Sequence, residues 1–308
     1  MKLSIVIPAK NEAENILPLY KEIVEVLRNF KGGYELIFVS DGSRDLTWAK
    51  IKELHAQDAR VHGIQFGVNF GKAAALQAGF DMAEGEIVIQ MDADLQDDPA
   101  EIPKFIKKLD EGYDMVVGWK HKRLDSFVKN KTSKLFNGAT NIISGVKLHD
   151  HNCGYKAYRA EVVKSLHLYG ELHRYIAVLA GSSGYSVGEM PVNHRVRNSG
   201  KSKYGPMRFI HGFLDLLTVL FITKFRTRPL HLFGYLGITS FISGFLIGIY
   251  LTYIKFIGHQ SIGDRPLLLF SVMLMIMGVQ IGVTGLVGEQ ITTLVQKNEK
   301  SYVIKNTL

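Results

Sequence analysis

The sequence predicts an α/β domain with a mainly parallel sheet, followed by an interfacial helix and a two-helix transmembrane hairpin. Three observations predict it. Short apolar runs alternate with helical patterns over residues 1–120, two long stretches near the end contain no charged residue, and basic residues concentrate between these regions. The 308 residues leave room for one large domain or two modest ones, and 46% hydrophobic against 21% charged residues excludes a disordered chain. The single cysteine, Cys153, excludes an intrachain disulfide and a cysteine zinc site. The opening MKLSIVIP lacks the long apolar run and cleavage site of a secretory leader, so the first part is expected on the cytosolic side.

The first apolar run, LSIVIPA, precedes Glu14–Phe30, where Ile16, Tyr20, Ile23, Val24 and Leu27 recur at helical spacing. YELIFVS precedes a helix over Asp45–Asp58, VHGIQFG precedes Lys72–Met82, and EIVIQMD continues the series. Apolar strands separated by helices imply a parallel sheet covered on both faces. Such sheets bind ligands beyond the carboxyl ends of their strands. Polar residues fall there: Asn11 and Glu12 after the first strand, Asp41 after the second, Asp92 and Asp94 after the fourth.

Pro229–Ile254 and Pro266–Gly288 hold no Asp, Glu, Lys or Arg over 26 and 23 residues, long enough to span a bilayer as helices. Their glycines suit helices packed in lipid. Two buried helices of a soluble core are the alternative, which these lengths disfavour. Lys224, Arg226 and Arg228 precede the first span and Lys297, Lys300 and Lys305 follow the second, whereas the loop Gly258–Arg265 carries one Arg and one Asp. By the positive-inside rule the catalytic part and both termini are expected in the cytoplasm, at the plasma membrane.

The formal charge of +8 is uneven. Lys120–Lys134, His194–Arg208 and Lys224–Arg228 together hold 14 Lys and Arg against one acid, Asp125. All lie between the strand-rich part and the spans, which suits an anionic membrane surface or a phosphorylated lipid. Nucleic acid is not expected, since no recognition motif accompanies these patches. FIHGFLDLLTVLFIT, residues 209–223, is too short to span and is read as lying in the membrane interface, a core helix being the alternative. The expected organisation is a catalytic domain over 1–205, a juxtamembrane helix over 206–228, spans over 229–257 and 266–288, and a tail over 289–308.

Asp92-Ala93-Asp94 ends a strand, and Gln96 follows. Carboxylates two residues apart at a strand end could share one hard cation, and oxygen ligands select Mg²⁺ or Mn²⁺. Asp92, Asp94 and Gln96 are the candidate metal ligands. Pro8-Ala9-Lys10-Asn11-Glu12 and Asp41-Gly42-Ser43-Arg44-Asp45 follow the first two strands.

In these three motifs, in this order, the sequence resembles the family 2 glycosyltransferases, which have a nucleotide-sugar-binding GT-A fold. Ser40 stands where many members have an acidic residue or Asn. Asn69-Phe70-Gly71-Lys72-Ala73, the DADLQDDP run, Asn152-Cys153-Gly154-Tyr155-Lys156 and Gly200-Lys201-Ser202-Lys203-Tyr204-Gly205 narrow the resemblance to the polyprenyl-phosphate glycosyltransferases over essentially the whole chain. That resemblance implies inverting transfer of a hexose from a nucleoside diphosphate sugar to polyprenyl phosphate. UDP-glucose and undecaprenyl phosphate are favoured; mannose from GDP-mannose and N-acetylglucosamine are the alternatives. It further implies that Pro8, Ala9, Asn11, Glu12, Asp41, Lys72, Asp92 and Ala93 line the donor site, and that a metal on Asp94 and Gln96 stabilises the departing diphosphate.

The acceptor phosphate ionises with a second pKa of about 6, so it needs little general-base help and needs cations instead. Arg123, Lys129, Arg195, Arg197, Lys201 and Lys203 are the candidates, with Ser202 and Tyr204 beside them, in a basic loop that Gly200 and Gly205 would let close. Asp150, before the NCGYK motif, is expected to orient the acceptor or act as a base, a structural turn being the alternative. A processive synthase is disfavoured because no Q-x-x-R-W segment is present, and a non-catalytic scaffold because Asp41, Asp92, Asp94 and Gln96 are intact. Apolar surface on the spans makes a homo-oligomer plausible.

Overall fold

The computed structural model describes residues 2–120, 137, 138, 140, 141, 144–193, 195, 217, 218, 220, 221, 225, 228–263 and 265–296. These fall into two compact units that divide between residues 219 and 220.

In the first unit β1 (Leu3–Ala9), α1 (Ala13–Val26), β2 (Tyr34–Ser40), α2 (Thr47–Gln57), β3 (Val61–Gln65), α3 (Lys72–Met82) and β4 (Ile87–Gln90) alternate as the sequence predicts. Then come α4 (Ile102–Asp110), β5 (Met115–Lys120), β6 (Lys156–Arg159), α5 (Ala160–Ser165), α6 (Ile176–Ser182) and β7 (Val187–Val192). The seven strands form one sheet in the order β3-β2-β1-β4-β6-β5-β7. β3, β2, β1 and β4 pair in parallel, as do β5 and β7, and β6 runs antiparallel to both β4 and β5.

The central strands are apolar because helices cover both faces: every residue of β2, and every residue of β1 except Pro8, is buried. α1 ends at Val26 rather than continuing to Phe30. The chain must leave the helix there so that Gly33 can reach β1, where its carbonyl accepts the Leu3 N–H at 2.9 Å. α3 lies close on the sheet because the buried Gly79 faces it, against Val6 and Val39. A Cβ at Gly79 would fall 2.3 Å from Val6 Cγ1.

The second unit is a helical hairpin, α7 (Pro229–Phe256) and α8 (Pro266–Gln296). Both helices are long and apolar enough to cross a membrane. Between lipid-facing helices no hydrophobic force favours contact, so close packing and polar bonds must supply it. A Cβ at Gly237 would sit 2.7 Å from the Gly278 carbonyl oxygen, and one at Gly278 would sit 2.6 Å from that of Gly237. Ser240 Oγ donates to the Leu274 carbonyl at 2.8 Å, and Ser271 Oγ to that of Gly244 at 2.7 Å. α8 continues past Gly288 to Gln296, since a charged residue ends an apolar span without ending a helix. Glu289, just past the apolar stretch, accepts the orphan Leu230 N–H in the first turn of α7 at 3.3 Å.

Gly79→Ala is expected to destabilise the protein by about 1–3 kcal/mol, although alanine is the better helix former, because the methyl group overpacks Val6. Thermal melting of the detergent-solubilised protein should show a midpoint lower by several degrees.

Candidate active site

The parallel register brings the carboxyl ends of β1, β2 and β4 to one edge of the sheet, and the loops that leave them are tied together. Asn11 adopts a left-handed conformation (φ 55°), which Asn tolerates better than most residues. Its N–H donates to Ser43 Oγ at 3.1 Å, and its Oδ1 accepts the Arg44 N–H at 2.9 Å. The Glu12 N–H donates to Thr47 Oγ1 at 2.8 Å, and the Ala13 N–H to Asp45 Oδ2 at 3.2 Å. Burial raises the Asp45 pKa, but the Thr47 and Ala13 donors outweigh it and hold the carboxylate below its usual range. Asp41 is buried. Its carboxylate accepts the Phe70 N–H at 2.7 Å and the Gly71 N–H at 3.0 Å, fixing the turn that opens α3.

That turn delivers Lys72 to the end of β4, where its Nζ meets Asp92 Oδ1 at 2.5 Å. Burial opposes the charge on both groups. Their mutual attraction overrides it, so the Lys72 pKa lies above and the Asp92 pKa below its normal value. Asp94 and Gln96 form the next turn, with the Gln96 N–H donating to Asp94 Oδ1 at 3.2 Å. Leu95 between them has φ 62°, a conformation costing a β-unbranched residue about 1–3 kcal/mol, which persists only where the surroundings impose it. The buried Asp97 accepts the Asp92 N–H at 3.1 Å. Burial and the Asp92 charge push the Asp97 pKa up to about 6.

β5, β6 and β7 complete the same edge. Because β6 is antiparallel, it begins there, with Lys156 opposite Gln90. The preceding residues 149–155 therefore lie toward this edge, and Gly154 comes so close to Asp92 that a Cβ would fall 2.6 Å from its Oδ2. The His149 ring stacks on Trp119 at 4.2 Å between centroids, and its Nδ1 lies 2.5 Å from Glu189 Oε1. Asp150 is buried and accepts the Asn152 N–H at 3.1 Å. Lys156 is buried with its Nζ donating to the Cys153 carbonyl at 2.5 Å, and burial draws its pKa down to about 8. Lys120 ends β5; burial works against its charge, but the Asp97 and Asp92 carboxylates contribute to a raised pKa. Cys153 is buried, which pushes its thiol up to about 12 and removes it as a nucleophile.

The structure thus brings together Pro8, Ala9, Asn11, Glu12, Asp41, Lys72, Asp92, Ala93, Asp94, Gln96 and Asp150. Arg195 is also at this edge, bonded to Glu22 at 2.6 Å and Asp98 at 2.8 Å. Arg123, Lys129, Arg197, Lys201, Ser202, Lys203 and Tyr204 lie outside the described residues, as does most of the helix expected over 206–228. Lys120, Lys156 and Asp97 were not among the residues singled out from the sequence, although the NCGYK and DADLQDD motifs contain the last two. Among the described residues no group of three His, Cys, Asp or Glu side chains surrounds a cation position. The oxygens of Asp94 and Gln96 fit a hard cation that takes its remaining ligands from a diphosphate. The cleft formed by Val24, Arg28, Tyr34 and Arg60 opens at the amino end of β2, away from this chemistry.

Residues 4–166 match the family described as glycosyl transferase family 2, and residues 228–294 match the GtrB C-terminal hairpin. The chain is 38% identical to a dodecaprenyl-phosphate galacturonate synthase of Rhizobium johnstonii, over 99% of this chain and 92% of the relative. It is 34% identical to an undecaprenyl-phosphate 4-deoxy-4-formamido-L-arabinose transferase of Proteus mirabilis, over 94% of this chain and 88% of the relative. Among solved structures, glucosyl-3-phosphoglycerate synthase from Mycobacterium tuberculosis superposes with a TM-score of 0.55 at 19% identity, covering 72% of this chain and 79% of that one. At that identity the likeness establishes the shared GT-A fold.

Gly154→Ala is expected to displace Asp92, lowering sugar transfer at least about tenfold and, by overpacking, the melting midpoint by several degrees, a comparison that activity and thermal scans make directly. A second outcome concerns pH. Burial lowers the pKa of His151 to about 4 and that of His173 to about 3, below the ordinary value of 6.5. The unfolded chain therefore binds protons that the folded one refuses, so the stability these residues contribute is complete above pH 6.5 and falls as the pH drops toward 4. Melting temperatures between pH 7.5 and 4.5 should fall, and His173→Gln should flatten the slope.

Proposed function

The chain belongs to glycosyl transferase family 2, and from that premise and its polyprenyl-phosphate relatives we propose that it transfers galacturonate, or a similarly modified pyranose, from a UDP donor to polyprenyl phosphate at the cytoplasmic face of the membrane. Transfer of a sugar to polyprenyl phosphate rests on relatives that span nearly the whole chain, transferase unit and hairpin together. This is the observation that carries the reading. The sugar is the finer step. Glucose, expected from the sequence, ranks behind galacturonate and 4-deoxy-4-formamido-L-arabinose because relatives at 38% and 34% identity carry those sugars in their names. UDP as the carrier is supported by neighbours of the same fold solved with Mn²⁺ and UDP or UDP-glucose.

In this reading Asp94 and Gln96 hold Mg²⁺ or Mn²⁺, which supplies counter-charge to the departing diphosphate. Lys72 and Asp92 act as one unit: the lysine presents positive charge toward the donor, and the carboxylate fixes where it points. Asp41 and Asn11 act through the backbone, shaping the two loops that receive the nucleotide. The acceptor phosphate is already an anion near neutral pH, so the protein must place two anions close together. Lys201, Lys203, Arg197, Arg123 and Lys129, with Ser202 and Tyr204, are the candidate acceptor ligands, and Asp150 the group that orients the attacking phosphate. Inversion follows from a single displacement. The basic residues flanking both spans support a cytoplasmic placement of the catalytic unit and both termini.

The test is transfer by the purified full chain. UDP-galacturonate, UDP-4-deoxy-4-formamido-L-arabinose, UDP-glucose and GDP-mannose, each labelled, are offered with undecaprenyl phosphate and Mg²⁺ or Mn²⁺. Label should enter the organic phase from UDP-galacturonate or the formamido sugar, vanish with a chelator, and fall about a hundredfold or more in Asp94→Ala. Label from UDP-glucose or GDP-mannose alone would overturn the sugar assignment.

A further inference from the structure

The sequence places Arg195 among the cations for the acceptor phosphate, but its surroundings point elsewhere. Nη1 donates to Glu22 Oε2 on α1 at 2.6 Å, and Nη2 to Asp98 Oδ1 at 2.8 Å. One guanidinium between two carboxylates leaves the trio with a net charge of about −1, which repels a phosphate dianion. The Arg195 N–H also donates to the Gln96 carbonyl at 3.0 Å. Asn193, two residues earlier, donates from Nδ2 to Asp98 Oδ2 at 3.1 Å. Asp98 in turn caps the short 3₁₀ turn Pro99–Glu101 through the Ala100 N–H at 3.1 Å, and its carbonyl accepts the Tyr155 hydroxyl at 3.1 Å.

We infer that Arg195 is a positioning residue, a latch that holds the strained turn Asp94-Leu95-Gln96 in its cation-binding form and ties it to the start of the basic window 194–208. The left-handed Leu95 needs imposed restraint. On one side the Gln96 N–H bonds Asp94; on the other the Gln96 carbonyl is held by the Arg195 backbone, whose side chain is in turn fixed to α1 and to Asp98. The guanidinium fork suits two carboxylates at once, which an ammonium cannot bridge in the same geometry.

This rests on the reading of Asp94 and Gln96 as metal ligands, so the experiment controls for it. Mn²⁺ binding to the full chain in detergent is titrated by paramagnetic resonance in the presence of UDP, for the wild type, Asp94→Ala, Arg195→Ala, Arg195→Lys, Asp98→Asn and Glu22→Gln. UDP affinity without metal and the KM for undecaprenyl phosphate at saturating Mn²⁺ are measured beside it. Arg195→Ala and Asp98→Asn should each weaken Mn²⁺ about tenfold, with metal-free UDP affinity and the lipid KM unchanged, and Arg195→Lys should recover part of the loss. Unchanged Mn²⁺ affinity in Arg195→Ala overturns the latch. A raised lipid KM with unchanged Mn²⁺ binding assigns Arg195 to the acceptor phosphate instead. Should Asp94→Ala also leave Mn²⁺ binding intact, the metal reading itself falls. Should Arg195→Ala not fold, Glu22→Gln carries the same comparison.

Discussion

Carboxylates gathered at the end of a buried strand cannot stay ionised unless cations are placed among them, and the ion pair between Lys72 and Asp92 is where this protein meets that demand. Asp92, Asp94 and Asp97 follow one another within six residues, partly or fully shielded from water. Without an answering charge, one or more would take up a proton and lose its value as a ligand. The cations come from separate parts of the fold. Lys72 opens α3, Lys120 closes β5 and Lys156 opens β6. The antiparallel direction of β6 is essential here, since a parallel strand would bring its far end to this edge and leave residues 149–156 elsewhere.

Local packing follows the same demand. Gly154 lets the backbone approach Asp92 where no side chain fits, and Asp41 spends its carboxylate on two backbone N–H groups so that Lys72 starts its helix at the right place. Hydrogen bonds to an ionised carboxylate are among the stronger kinds, so these loops are held more tightly than their irregular course suggests. Near the far edge, the ring of His149 against Trp119 and its bond to Glu189 anchor the segment that carries Asp150 to the sheet.

The first half of the fold was legible in the sequence because its strands are buried on both faces and so read as uninterrupted apolar runs, with helices of clear period between them. The same logic exposed Asp41, Asp92 and Asp94, which stand where such runs stop. β5, β6 and β7 gave no comparable signal: β6 is four residues long, and its first member is a lysine. The partners of Arg195 were also out of reach. Glu22 and Asp98 lie 173 and 97 residues away in the chain, and nothing in a basic segment says which of its charges are already matched. Charge clustering showed where cations concentrate along the sequence, but it could not distinguish a ligand for phosphate from a structural arginine. The hairpin was the plainest element, since apolar length alone announces it, whereas the individual glycines that touch, Gly237 and Gly278 among eight in the two spans, needed coordinates.

One buried side chain has a practical reach beyond the site. The chain's one thiol, Cys153, is enclosed and strongly disfavoured as a thiolate, so ordinary maleimide or iodoacetamide reagents should pass it by in the folded protein. A cysteine introduced at any exposed position then becomes the single reactive handle, without first removing a native one. Fluorophores or spin labels could therefore be set in pairs at chosen exposed positions, and the distance between them followed in an otherwise natural protein.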